Sequence, residues 1–387
     1  MKSLRILAAI AVAVPSVLAA QRAEPRNDRL TLTDYLEWEG VASPQLSPDG
    51  KSVIYSRTWI DKLNDKRMSS IHIMNVDGTK PRKLVDGSAP QWSPDGTRIA
   101  YVAEGEPNKT PQIFTRYMDA EGAITQVTRL TSAPGNVRWS PDGTELLMNR
   151  KDRRQQILEL AACNSETTKC RVIVREEWKT GWIENAPTMR MLADKKRFIW
   201  ESDRNGFTNY YLYDLTGKLI NPITTLTTAE AGAIVKLDEK AGVLFYTARD
   251  GDNYMKMQLH RVKLDGTGDV RLTDPKFNHS VGACPDVDPT GKVAEAGAGR
   301  GGRGGGGFGG GAGSCGISAD NKYFIDTYQT NDIPAATQLV EIGAAGGKVV
   351  AQLAKADTTK FDALKLHKAE QFEYLAADGK TKLYGQI

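Results

Sequence analysis

Catalysis near neutral pH needs a nucleophile beside a base, a set of metal ligands, or paired carboxylates, and this sequence offers few such groups. The nearest match to a G-x-S-x-G nucleophile elbow places Ser314 in Ala312-Gly313-Ser314-Cys315-Gly316. That stretch lacks the first glycine and the strand-to-helix surroundings that hold such a serine strained and exposed. No G-x-x-x-x-G-K-[ST] phosphate loop and no H-E-x-x-H zinc helix occurs. The four histidines (His72, His260, His279 and His367) are scattered and no C-x-x-C pair is present, so neither a metal nor a cofactor is expected. Glu176-Glu177 is the only pair of adjacent glutamates. No residue is nominated as catalytic.

The elements that must carry these residues are announced by a phrase that recurs three times: Ser47-Pro48-Asp49-Gly50, Ser93-Pro94-Asp95-Gly96 and Ser140-Pro141-Asp142-Gly143. Proline presets φ, aspartate caps its own turn and glycine supplies a φ that other residues avoid, so each copy reads as a tight turn. A large apolar residue precedes two of the turns directly (Trp92, Trp139) and Leu46 the third. Short apolar runs follow: Val53-Ile54-Tyr55, Ile99-Ala100-Tyr101 and Leu146-Leu147-Met148. A second hairpin can be read after each, from Ser70 to Val85 around Asp77-Gly78 and from Gln112 to Leu130 around Glu121-Gly122. Four antiparallel strands at intervals of 46 and 47 residues are the signature of a β-propeller blade, whose faces are buried only by neighbouring blades. Degenerate copies continue at Asp194-Lys195-Lys196, Asp238-Glu239-Lys240 and Ser318-Ala319-Asp320-Asn321. The chain reads as an all-β propeller over residues 30–365, with six blades legible and a seventh expected once terminal strands are counted.

Residues 1–20 carry Lys2 and Arg5, an apolar run from Ile6 to Val14 and the ending Val17-Leu18-Ala19-Ala20. This is the pattern of a secretory signal peptide, cleaved after Ala19 or Ala20; a retained anchor is the alternative, and no other membrane segment is expected. Without that segment the formal net charge falls from +4 to +2, too little to imply a nucleic-acid or acidic-lipid partner. A periplasmic or secreted location allows disulfides. Cys163 and Cys170 flank the polar turn Asn164 to Lys169 and could face each other across one hairpin, in which case Cys284 and Cys315 remain as the other pair; four free thiols is the alternative. The tract at 294–313, almost all glycine and alanine with Arg300, Arg303 and Phe308, cannot bury enough apolar area to offset its ordering entropy. It reads as a disordered insertion in the sixth blade, favoured over the alternative that its two arginines and one phenylalanine bind RNA.

Four segments in order resemble the prolyl oligopeptidase family, in its dipeptidyl-peptidase and acylaminoacyl-peptidase branches. Ser202-Asp203-Arg204-Asn205-Gly206-Phe207-Thr208-Asn209-Tyr210-Tyr211-Leu212-Tyr213 is similar to that family's S-E-R-x-G-[WF]-x-H-L-Y-x-Y, with Asp203 and Asn209 departing from it. Leu259 to Gly266 resembles the L-Y-R-V-x-L-D-G of the next blade, and Tyr323 to Tyr328 the Y-x-V-D-T-Y strand of the last. Phe372 to Gly385 resembles the first hairpin of the peptidase domain. The resemblance implies a propeller that filters access and helps to bind peptide, followed by an α/β-hydrolase domain bearing serine, aspartate and histidine. Residues 366–387 then read as the start of that domain, whose triad is not among these residues.

Dipeptidyl-peptidase-like members grip the substrate's amino terminus with paired glutamates, because a cationic amine entering a partly dry cavity needs carboxylates to compensate its lost hydration. Glu176 and Glu177 are the candidates for that role, with a solvated blade edge as the plain alternative. Arg204 is expected to pair with a carboxylate of the adjacent blade rather than with substrate. Two functions follow: the non-catalytic propeller portion of a secreted serine exopeptidase or oligopeptidase, binding peptide jointly with a C-terminal hydrolase domain, or a stand-alone TolB-like periplasmic scaffold. The hairpin from Phe372 favours the first.

Overall fold

The computed structural model describes residues 30–183, 187, 189–293, 315–365 and 367–387. Residues 1–20, read above as a signal peptide, the tract at 294–313 and Ser314 lie outside the described residues. The chain divides into two compact units, Met1–Pro90 and Gln91–Ile387.

Six four-stranded antiparallel sheets lie among the described residues, at 40–86, 88–126, 135–177, 189–222, 231–271 and 278–355. Strand order within each follows chain order, a plain meander. A separate two-stranded hairpin joins Gln371–Leu375 to Lys382–Gln386; no seventh four-stranded sheet occurs among the described residues. The turn phrase closes the first hairpin of each early sheet. In the third, Ser140 Oγ donates to Asp142 at 2.6 Å while accepting from the Glu145 N–H at 2.9 Å, and Gly143 N–H donates to the Ser140 carbonyl at 2.9 Å. Gly143 sits at φ 73°, where a side chain would be strained. The degenerate copies keep the geometry with other residues. Lys195 and Asn321 take the left-handed position at φ 57° and 58°, and Ser318 Oγ still donates to Asp320 at 2.7 Å.

The second unit shows why these sheets need one another. In Glu145–Lys151, Leu146 and Met148 point into a layer shared with Ala100, Ile113 and Val127 of the preceding sheet. Leu147 points the other way, into a layer with Phe198, Trp200 and Tyr213 of the following one. Ile199, on the opposite face from Phe198 and Trp200, packs with Leu237, Leu244 and Tyr246, and Phe245 turns on to Phe324 and Val340. Strand periodicity of two thus divides each apolar run between two neighbours. This is how the blades of a β-propeller bury both faces, and the fold is an all-β propeller of four-stranded blades.

Candidate functional site

The adjacent glutamates are not brought together. They are neighbours on the outer strand Cys170–Glu177 of the third blade, so their side chains leave on opposite faces. Glu176 is buried against the fourth blade, where Oε1 accepts from Trp200 Nε1 at 2.7 Å and Arg204 Nη2 at 2.9 Å, and Oε2 accepts from Ser202 Oγ at 2.8 Å. Glu177 is exposed and lies 3.8 Å from Arg175 and 3.9 Å from Lys179. With both Glu176 oxygens engaged by the next blade and Glu177 turned away, the two cannot close on one amine in this arrangement.

Arg204 joins Glu176 in locking the third and fourth blades. Its guanidinium donates to Tyr213 Oη at 2.7 Å and Ser202 Oγ at 3.0 Å, and lies 4.2 Å from the Tyr211 ring centre. Burial alone would lower its pKa, but the Tyr213 bond and the Glu176 charge raise it on balance. Asn209, which stands where the resembling motif has histidine, is fully buried. Its amide donates to the Leu226 carbonyl at 3.0 Å and accepts from Leu226 N–H at 2.7 Å, fastening the following loop.

Cys163 and Cys170 form a disulfide with Cα atoms 4.0 Å apart, and Cys284 and Cys315 form another at 4.3 Å. His260 escaped the sequence reading because its partners come from other parts of its blade. It lies 3.0 Å from Asp250 and 3.1 Å from Asp269, and Tyr246 Oη donates to Asp269 at 2.6 Å. Burial works to lower the His260 pKa, but the hydrogen bonds and charges of the two aspartates prevail and raise it. His279 is buried with Asp326 at 2.8 Å and is equally structural.

Second strands run from the end of the blades that carries the S-P-D-G turns to the opposite end, where the turns near 152–156, 203–208, 249–257 and 330–335 begin the third strands. The terminal hairpin sits at this opposite end. Tyr384 packs on Tyr254 with ring centres 5.4 Å apart, Gln371 contacts Met255 Sδ at 3.1 Å, and Asn331 Nδ2 donates to Gln371 at 3.3 Å. The chain therefore leaves the blades over this loop end.

A cavity of about 530 Å³ opens beside the 152–156 turn, lined by Arg153, Arg154, Gln155, Gln156 and Trp182. A second, of about 480 Å³, shares Arg153 and Gln155 with it. The turn is firmly held. The Asp152 carboxylate accepts from Ile157 N–H at 2.8 Å, Gln156 N–H at 2.7 Å and Arg154 N–H at 3.2 Å, bonds that keep its pKa below the usual carboxylate value. Trp178 and Ile183 N–H groups donate back to the carbonyls of Gln156 and Gln155 at 2.8 and 2.7 Å, which brings Trp182 alongside. The sequence reading passed over this site; the adjacency of Arg153 and Arg154 is the signal that could have found it, whereas nothing in the sequence places the indole beside them.

Comparison with known proteins agrees with this architecture. The family model described as the dipeptidyl peptidase IV (DPP IV) N-terminal region matches residues 126–292. A dipeptidyl-peptidase 5 of Porphyromonas endodontalis is 28% identical over 206 residues, covering 48% of this chain and 28% of its own. An uncharacterised peptidase of Bacillus subtilis, YuxL, is 30% identical over 129 residues, covering 31% of this chain and 18% of its own. The crystal structure of Porphyromonas gingivalis dipeptidyl peptidase 4 superimposes with a TM-score of 0.57 at 15% identity, over 89% of this chain and 50% of that one. At that identity the likeness is one of fold, and the chain spans half or less of the length of these relatives. Residues 126–292 are thus similar to the N-terminal region of dipeptidyl peptidase IV, and the likeness falls on the blades described above.

Proposed function

We propose that this chain is the non-catalytic propeller portion of a secreted serine exopeptidase or oligopeptidase, and that its loop end admits and helps to bind peptide jointly with a hydrolase domain. The observation that carries the reading is the hairpin Gln371–Leu375 with Lys382–Gln386 seated on Tyr254, Met255 and Asn331. A catalytic domain continuing from it would stand over the same loop end that holds the Arg153 cavity. Two disulfides support an oxidising compartment, and hence a periplasmic or secreted site of action. Acyl transfer needs a serine beside a base and an oxyanion hole, and loss of triad members alone removes about 10⁴ to 10⁶ in kcat. The purified 387-residue chain is therefore expected to leave aminoacyl and X-Pro chromogenic substrates intact. Turnover above a boiled control that disappears in Ser314→Ala would overturn this. Nucleotide sequence beyond the Ile387 codon provides the second arm: an in-frame α/β-hydrolase supports the reading, whereas an immediate stop codon would favour a stand-alone binding scaffold.

A further inference from the structure

Arg153 and Arg154 have an unusual setting for adjacent arginines. The nearest carboxylate in sequence, Asp152, is occupied by three backbone N–H groups of its own turn. Among the described residues neither guanidinium has an ion-pair or hydrogen-bond partner. Both arginines are exposed, and the turn that carries them is fixed by the Asp152 carboxylate. Here both line a cavity of about 530 Å³ whose other walls are two glutamine amides and the Trp182 indole. Trp182 is 75% exposed, a large apolar surface left uncovered, yet the backbone on either side of it is tied to the turn through Trp178 and Ile183. A fixed turn, two guanidiniums without a partner among the described residues and a bare aromatic wall are together suited to a carboxylate on a short apolar stem.

Resting on the reading above, we propose that the Arg153–Arg154 cavity is a subsite for an acidic side chain of a bound peptide, with the guanidiniums meeting the carboxylate, Gln155 offering an amide donor, Gln156 held back by its bond to the Lys179 carbonyl at 3.2 Å, and Trp182 covering the methylenes. An acidic peptide fits better than a nucleic acid. Binding to a phosphate backbone grows with the number of phosphates neutralised, and two cations in a pocket beside a chain of net charge +4 make a short footprint.

The test uses the full chain and two fluorescently labelled, terminally blocked hexapeptides, one with two central glutamates and the other its diglutamine isostere, read by fluorescence anisotropy. The diglutamate peptide is expected to bind about 5-fold more tightly, the size of one or two half-exposed ion pairs, and the preference should shrink at high salt. Arg153→Ala/Arg154→Ala should bind both peptides like the isostere, while Arg153→Lys/Arg154→Lys should keep part of the preference; matching melting curves for both double variants establish that they are folded. Equal binding of the two peptides by the wild-type chain would overturn the subsite and leave the propeller's peptide-binding role standing. Binding of neither would remove both. A preference that survives Arg153→Ala/Arg154→Ala, or displacement of the diglutamate peptide by an equal concentration of a single-stranded oligonucleotide, would also refute the assignment.

Discussion

Glu176→Ala should be among the most damaging single substitutions at the boundary between the third and fourth blades. The carboxylate is the acceptor for three donors: Trp200 Nε1, Ser202 Oγ and Arg204 Nη2. Trp200 and Ser202 are fully buried, so no water replaces the lost acceptor. A buried donor left unsatisfied costs about 1–3 kcal/mol. Arg204 contributes less, since its side chain is 32% exposed and keeps its bond to Tyr213 and its place over Tyr211. The expected loss is about 3–5 kcal/mol, the range for breaking one side of a buried ion pair. Glu176→Gln preserves shape and an acceptor for Trp200 and Arg204, but sets an amide N–H₂ against Ser202 Oγ, which already accepts from Arg204; about 1–2 kcal/mol is expected. Glu177→Ala, on the opposite and exposed face, should stay within about 0.5 kcal/mol. Urea unfolding followed by both tryptophan fluorescence and circular dichroism gives the midpoints and tests whether the transitions coincide. A cycle with Arg204→Ala should return a coupling of about 1–3 kcal/mol. If Glu176→Ala costs no more than Glu177→Ala, the inter-blade lock has no energetic role and Glu176 must be reconsidered as a substrate-binding group.

The two disulfides should differ in worth because they close chain segments of different length, with sequence separations of 7 and 31. The chain-entropy relation gives about 2.4 kcal/mol for Cys163–Cys170 and about 3.7 kcal/mol for Cys284–Cys315. The test adds reductant to Cys284→Ala/Cys315→Ala and to Cys163→Ala/Cys170→Ala, so that each variant loses its one remaining bridge; a larger loss from the shorter loop would contradict the entropic account. The His260 cluster predicts a bounded pH window. His260 titrates above its ordinary 6.5, so its contribution is complete below about that value and declines as pH rises through the raised folded pKa. Asp250 is pushed up by burial but drawn down further by His260 and Arg271, to a net value below 3.8; its contribution is present above that and is lost on acidification. The groups facing the ring are Asp250, Asp269 and the Tyr246 hydroxyl, with Arg271 behind Asp250. Stability measured against pH should fall on the alkaline side in the wild type and flatten there in His260→Gln. An unchanged alkaline limb would show that His260 does not set it.

Legibility in the sequence followed how local each determinant was. The S-P-D-G turns are closed by bonds reaching at most five residues, such as Ser140 Oγ with Glu145 N–H, so the residues that make the turn are the residues that name it. Cys163 and Cys170 pair across one hairpin for the same reason, and their register partners are each other. Glu176 was misplaced because its role depends on strand parity. It shares a face with Val174, two residues before it and buried in the layer with Phe198 and Trp200, and that i, i+2 relation would have sent Glu176 inward and Glu177 outward. A bulge between the register pairs of Leu160 and Ala161 shifts the pairing within the same hairpin, so parity counted from the turn at Asn164 gives a different answer from parity counted along Val174–Glu176. His260 is harder still. It stands directly across from Tyr246, while Asp250 and Asp269 come from the connections on either side of its strand, at opposite ends of the separate loops 249–257 and 264–269. Composition shows three unremarkable residues; only the register of one blade makes them a cluster. The Arg153 cavity lies at the same level of difficulty, since its turn is local but its indole arrives through a connection between blades. Function in a propeller gathers where such connections converge, and those are the contacts that a repeat period, set by the turns alone, does not encode.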